Sequence, residues 1–292
     1  MPPPNSMRAM TCMVTGATSG IGKATALALA RAGATVILVC RDDSKGEAVA
    51  AELRAATGNA AIEPLTADLS SQRQIRALAC CFSRKYDHLH VLVNNAGAMF
   101  PQRQESDDGM EMTLAVNHLA PFLLTNLLLD RLQAAGTARV VNVNSDAHAK
   151  GQIDFDDFQM RRHYPGGVGM RAYANAKLAN LLTVYELARR LAGSGVSVNA
   201  LHPGYVATNI LPFERVTGPV RLLKPFWNIA RHVILSPESG AATSVYLASS
   251  PEVANVTGRY FERCAAIVSS RTSRDRSLQA RVWDVSEQLT RG

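Results

Sequence analysis

Tyr173 and Lys177 stand four residues apart in the largely apolar run Ala172–Leu187. On a helix that spacing puts both side chains on one face. A phenol near its ordinary pKa of about 10 is a poor base at neutral pH. An ammonium one turn away favours the phenolate and brings the group toward working pH. The pair therefore suits proton exchange with a carbonyl/alcohol centre: hydride delivered to a carbonyl leaves an alkoxide that needs a proton, and the reverse step needs that proton removed. A plainer reading makes Tyr173 one aromatic of a buried helix. That accounts for the helix but not for its coincidence with the features below.

A second cluster lies near the start. Thr11–Thr15 reads as a strand and runs directly into Thr15-Gly16-Ala17-Thr18-Ser19-Gly20-Ile21-Gly22, after which a helical pattern opens. A glycine-rich turn between strand and helix lets backbone approach a pyrophosphate, and the helix start offers free N–H groups and the positive end of the dipole. The spacing is G-x-x-x-G-x-G and does not fit a phosphate loop of the G-x-x-x-x-G-K type. At the end of the second strand, about 20 residues on, NAD sites place an acid for the ribose 2′-hydroxyl. Here Cys40 takes that place and Arg41 follows. A guanidinium pairs with a 2′-phosphate that a carboxylate would repel, so the expected cofactor is NADP(H).

These residues need a frame. Strand patterns fall at Thr11–Thr15, Thr35–Cys40, Ala61–Thr66, Val91–Asn94, Arg139–Asn144, Ser197–His202 and Gly258–Phe261, with helical patterns near 20–32, 44–57, 71–86, 108–135, 171–193 and 238–249. Near-continuous apolar strands alternating with helices predict an α/β fold, one doubly wound parallel sheet covered on both faces. Residues 1–10 read as a flexible N-terminus and 11–292 as one catalytic domain. The segments 98–110, 146–170 and 205–236 break the rhythm after strand ends, where such sheets place ligands. The last reads as a substrate lid.

The chain has 292 residues, 47% hydrophobic and 19% charged, with a formal charge of +7. That is an ordinary globular composition, long enough for a sizeable core. No apolar run reaches the roughly 18 residues that span a bilayer, and the first residues lack the apolar stretch of a signal peptide. Five unpaired-looking cysteines, with no CxxC, favour reduced thiols and a cytoplasmic setting, with Cys12 and Cys40 packed inside strands. The excess charge sits mainly in 202–232 and 259–292 and reads as solvated surface; no nucleic-acid motif accompanies it. His118, His148 and His202 lie in separate segments without ligand spacing and read as structural, and no metal is expected.

With these motifs assembled, the chain resembles the short-chain dehydrogenase/reductase family. The likeness rests on the glycine motif, Asn94-Asn95-Ala96-Gly97, Tyr173-x-x-x-Lys177 and Pro203-Gly204, in order over residues 11 to about 262. A narrower likeness goes to its retinol-dehydrogenase-like branch, through Cys40-Arg41-Asp42, Ala115–Leu119, Val143–His148, Asp154–Asp157, Lys177–Asn180, His202–Gly204 and Val282–Ser286. Asn144 stands where the branch usually has Ser.

The resemblance implies a Rossmann-type fold and an NADP(H)-dependent oxidoreductase interconverting a carbonyl and an alcohol. It implies Ser145 as the residue that hydrogen-bonds the substrate oxygen, Tyr173 as acid/base, Lys177 as its partner and ribose ligand, and Asn117 as a link in a proton relay. It further implies cofactor contacts from Gly16, Ser19, Gly20, Ile21 and Gly22 at the pyrophosphate, Asp68 and Leu69 beside the adenine, Asn94, Ala96 and Gly97 along the ribose, and Pro203, Gly204, Val206 and Thr208 near the nicotinamide. Branch members often carry an N-terminal membrane anchor; none reads here, so retinoid substrates and membrane association are not carried over.

Phe100, Phe155, Tyr205, Phe213, Phe226 and Trp227 make the three irregular segments aromatic, so a lipophilic or ring-bearing small molecule is the expected partner. The basic residues of 215–231 suit an acidic substrate group or an amphipathic helix laid on a membrane, and both readings stand. Ala172, Ala174, Ala176 and Ala179 suit either homo-oligomer packing or contact with the sheet. The rival reading from another class is a non-catalytic NADP(H)-binding regulator of the same fold.

Overall fold

The computed structural model describes every residue except 1, 4, 165–168, 207–234 and 292. Strand β1 (Thr11–Thr15) leads into helix α1 (Gly20–Arg31) and the chain returns along β2 (Thr35–Cys40). Helices α2 (Asp43–Thr57) and α3 (Gln72–Lys85) flank β3 (Ile62–Thr66), and β4 (Val91–Asn94) follows. Next come α4 (Met112–Leu114), a π turn (Ala115–Leu119), α5 (Ala120–Leu127), α6 (Leu129–Ala134) and β5 (Ala138–Val143). Helix α7 (Met170–Arg190), β6 (Val196–His202), α8 (Pro237–Ser249), β7 (Tyr260–Glu262), β8 (Ala265–Ile267) and α9 (Arg276–Thr290) complete the described elements.

The strands form one sheet in the order β3-β2-β1-β4-β5-β6-β7-β8, parallel throughout except for the final β7–β8 pair. Connections from β1 run one way to β2 and β3, then the chain crosses to β4 on the other side. The crevice between the C-terminal ends of β1 and β4 is thus the switch point at which such sheets bind ligands. Apolar residues cover both faces. On one, Met13, Ile37, Leu92 and Val140 meet α3, α5 and α7; on the other, Cys12, Val14, Leu38 and Val93 meet α1, α2 and α8. Helix α3 shows the local logic: Ile75, Leu78, Ala79 and Phe82 recur at helical spacing and are buried, and Ser71 caps the start by accepting the Gln74 N–H. Each large side chain so buried contributes about 1.5–3 kcal/mol.

Several expectations need correction. The stretch 108–135 is not one helix. Pro121 has no N–H, so regular i→i−4 bonding cannot continue there; the Ala120 N–H reaches back five residues to Ala115 O and the backbone bulges as a π turn. Strand β8 went unread because it is three exposed residues. Helix α9 also went unread, although Asp275 capping Leu278 and buried Val282, Trp283 and Ser286 carry its signal. In the segment before β1, expected to be loose, Met7 is buried and its N–H donates to Ala32 O. Most of the lid segment 205–236 lies outside the described residues.

His118 on the π turn ties α9 to this core. Ser286 donates to Val282 O, so His118 Nε2–H donates to Ser286 Oγ at 2.7 Å, while the buried Nδ1 has no partner among the described residues. Burial pushes its pKa down to about 3. The unfolded chain takes this proton near pH 6.5, so the stability is fully present above about 6.5 and is lost as pH falls toward 3. Denaturant midpoints measured against pH should therefore fall below pH 6.5 with a contribution of about 1.4 kcal/mol per pH unit. That contribution should be absent from His118→Gln.

Candidate active site

The turn between β1 and α1 is built for close approach. Gly16 and Gly20 have positive φ, and a side chain on Gly22 would collide with Gly16 O and the Asn95 amide. Ser19 precedes α1 in extended conformation without capping it by its side chain, so the first N–H groups of α1 are left for a ligand. Two residues of the quoted motifs, given no role by the sequence, lock this turn to the β4 loop. Thr15 Oγ1 accepts the N–H groups of Asn95 (2.9 Å) and Ala96 (3.0 Å), and Asn95 Nδ2 donates to Thr15 O at 2.8 Å. The open helix end and the glycine cradle fit a dinucleotide pyrophosphate.

Around this crevice lie the other expected contacts. Arg41 is exposed at the end of β2 and forms no ion pair among the described residues. The neighbouring acids are turned elsewhere: Asp42 caps α2 and Asp43 accepts from Thr66. Ala67 N–H donates to Cys40 O, which brings Asp68 and Leu69 beside Arg41; the Asp68 carboxylate is held by Ser70. The Asn94 amide points into the sheet, donating to Thr125 Oγ1 and Asn142 Oδ1, so its backbone is what it offers the crevice. Pro203 and Gly204 follow β6, and Val206 packs with Ile21 and Val245. Thr208 lies outside the described residues.

One strand further, the candidate tetrad converges. Lys177 Nζ is buried and donates to Val143 O at 2.9 Å, 5.5 Å from the centroid of the Tyr173 ring. A Cβ on Gly97 would fall 2.9 Å from Asn117 Oδ1 and 3.7 Å from Lys177 Nζ, so the bare glycine is what leaves these two polar ends room at the crevice. The π turn aims Asn117: its Nδ2 donates to Ala98 O and Thr113 O, and its buried Oδ1 has no partner among the described residues. Ser145, two residues beyond β5, lies beside the Tyr173 hydroxyl. Asn144, buried between them, orients both elements: it donates to Lys177 O and Asn180 Oδ1 and accepts the Ser145 N–H at 2.7 Å. A serine there would be too short to make all three bonds.

Charge at the site is set by burial. It pushes Lys177 down to about 8 and Tyr173 up to about 12; the Ser145 hydroxyl opposes the tyrosine's rise and the Asp146 carboxylate adds to it. The largest influence on the Tyr173 phenol here is its burial, and the Lys177 ammonium is directed to the Val143 carbonyl. The three histidines are structural links. His148 Nε2 accepts the Ser270 N–H, so its Nδ1–H donates to Ser145 O. His202 Nδ1 accepts the Asp146 N–H.

Of the segment expected to line this crevice, 151–158 lies away from it, while Tyr164 returns to the loop after β4 and donates to Phe100 O at 2.9 Å. Gly151 lets the chain press against Ala174 and Leu178, and the segment runs back along the outer side of α7. Phe155 there stacks on Phe158 under the Arg281 guanidinium. Phe213, Phe226 and Trp227 lie outside the described residues. Among the described residues no helix is long and apolar enough to cross a membrane.

The profile of the short chain dehydrogenase family matches residues 10–157. Retinol dehydrogenase 11 of Homo sapiens is 42% identical over 274 residues, 94% of this chain and 83% of that protein. The chain belongs to the short-chain dehydrogenase family. Retinol dehydrogenase 14 of Homo sapiens, 41% identical over 97% of this chain and 87% of its own, places it in the retinol-dehydrogenase-like branch. A protein from Mycobacterium Paratuberculosis has the same fold at TM-score 0.77 and 34% identity, over 99% of this chain and 98% of that one. The RhlG/NADP complex of Pseudomonas aeruginosa matches at TM-score 0.70 and 27% identity, over 94% and 100%. This short-chain dehydrogenase is thus an oxidoreductase of alcohol and carbonyl groups, from a family that binds NAD(P).

Asn144→Ala should leave buried amide and carbonyl groups unpaired in this short-chain dehydrogenase. Chemical denaturation should read a loss of about 1–3 kcal/mol.

Proposed function

We propose that the protein is an NADP(H)-dependent oxidoreductase that interconverts a carbonyl and a primary or secondary alcohol on a lipophilic or ring-bearing small molecule. The observation that carries this is the meeting of Ser145, Tyr173, Lys177 and Asn117 beyond the C-terminal ends of the central strands, beside the glycine turn. Its catalytic domain is residues 11–292, with 205–236 closing over the substrate. Gly16, Ser19, Gly20, Ile21 and Gly22 hold the pyrophosphate; Arg41 takes the 2′-phosphate; Asp68 and Leu69 border the adenine. Asn94, Ala96, Gly97 and Lys177 take the nicotinamide ribose side, with Pro203, Gly204, Val206 and Thr208 at the amide. The bound dinucleotide supplies or accepts the hydride.

In this reading Ser145 orients the substrate oxygen and stabilises charge that develops on it. Tyr173 hands its phenolic proton to that oxygen in reduction and takes it back in oxidation. The Lys177 ammonium stabilises the phenolate left behind. The unpaired Asn117 Oδ1, close to where Lys177 ends, receives the hydrogen bond that a relay toward solvent requires. Unpaired Arg41, with both following acids engaged elsewhere, supports NADP(H) over NAD(H).

Steady-state kinetics with NADPH and NADH across a ketone and aldehyde panel should give a clear NADPH preference. Arg41→Ala should reduce that preference about tenfold or more; an NADH preference in the native protein would overturn the cofactor assignment. Tyr173→Phe should lower turnover at least about 100-fold while dinucleotide binding persists. A regulator would keep its activity in that variant.

A further inference from the structure

The residue after Ser145 is a carboxylate placed where the proposed proton exchange has no use for it. Asp146 Oδ1 accepts the Ser145 hydroxyl at 3.1 Å, and Oδ2 accepts the Tyr205 hydroxyl at 2.6 Å. Its backbone N–H is directed to His202 Nδ1. Partial burial works against the charged carboxylate, but Tyr205, His202 and Ser145 outweigh it and hold the group below its ordinary range. Asp146 is therefore ionised across the neutral range. A serine hydroxyl has one hydrogen, and here the carboxylate receives it. Ser145 Oγ also accepts the Ala147 N–H at 3.2 Å, which pins its direction further.

We infer that Asp146 is a positioning residue: it captures the Ser145 hydrogen in the resting site and presents the serine's lone pair and its own negative charge to Tyr173, so that the phenol enters the cycle as a proton donor. This rests on the roles proposed for Ser145 and Tyr173. When negative charge grows on the substrate oxygen, that oxygen competes for the Ser145 hydrogen, and Asp146 keeps its bond from Tyr205. The serine's bond to substrate is then made mainly as charge develops, which is where it lowers the barrier rather than merely tightening binding.

Among the described residues, the charged and titratable groups around the pair are these. Tyr173 is faced by Ser145, Asp146 and Tyr260, with Lys177 one turn along its own helix. Asp146 is faced by Tyr205 and His202 at the end of β6, His148 in its own turn and Tyr260 on β7, while Glu262 lies toward Tyr205. Asp146 is the carboxylate that acts on both Tyr173 and Ser145.

Ultraviolet difference titration of the ligand-free protein, with Tyr173→Phe as the blank, isolates the Tyr173 phenolate. In Asp146→Asn that phenolate should appear at a pH lower by about half a unit or more, and Asp146→Glu should restore the native value. The alkaline limb of kcat/KM for carbonyl reduction should move down in step. Asp146 is exposed, and Asp146→Ser carries the same expectation should the asparagine variant fail to fold. Titrations that coincide in native and Asp146→Asn protein overturn the inference, as does an equal displacement in Asp146→Glu. Full turnover in Tyr173→Phe would instead remove the underlying reading of the site.

Discussion

An ammonium enclosed by protein governs this site. Lys177 would titrate near 10.5 if exposed and is drawn down to about 8, which costs about 3 kcal/mol relative to a solvated lysine. Among the described residues Lys177 Nζ has one direct protein acceptor, Val143 O, rather than a carboxylate. An acid partner would neutralise the charge and cancel its influence on the phenol one turn away. A single neutral carbonyl keeps the charge in place and available to the crevice. Gly97 is bare for the same reason, since any side chain would fill the space between Lys177 and Asn117.

Asparagines carry much of the positioning around that charge. Asn95 fastens the glycine turn to the end of β4, Asn144 fastens the serine strand to α7, and Asn117 is fixed by two carbonyls with its oxygen left over. An amide supplies two donors and one acceptor without adding charge, so it can link strands and helices beside Lys177 without competing with it electrostatically. The π turn belongs to the same device. A regular helix interrupted by Pro121 would lose a backbone bond; the bulge recovers one and rotates Asn117 toward the crevice.

The two ends of β5 and β6 form a second, more exposed network. Ser145, Asp146, His148, His202 and Tyr205 are joined by hydrogen bonds, and His148 extends the connection to Ser270 near the C-terminus. Tyr205, just after Gly204, is thereby joined through Asp146 to Ser145.

Local pattern in the sequence determined most of the frame. Strand apolarity, glycine spacing and the four-residue step from Tyr173 to Lys177 are short-range properties, and β1, α1, β2, β4 and α7 formed where those patterns lie. Long-range pairing could not be read the same way. Nothing local in Asn144 announces three partners on two elements, nothing in His118 announces Ser286 at a separation of 168 residues, and Phe155 looked like a pocket residue until Gly151 allowed its segment to lie along α7. The tertiary structure also decided the charge of the site: spacing alone placed Lys177 beside Tyr173, but burial and the Val143 carbonyl set where the ammonium points, because desolvation and long-range hydrogen bonds exist only once the chain has packed.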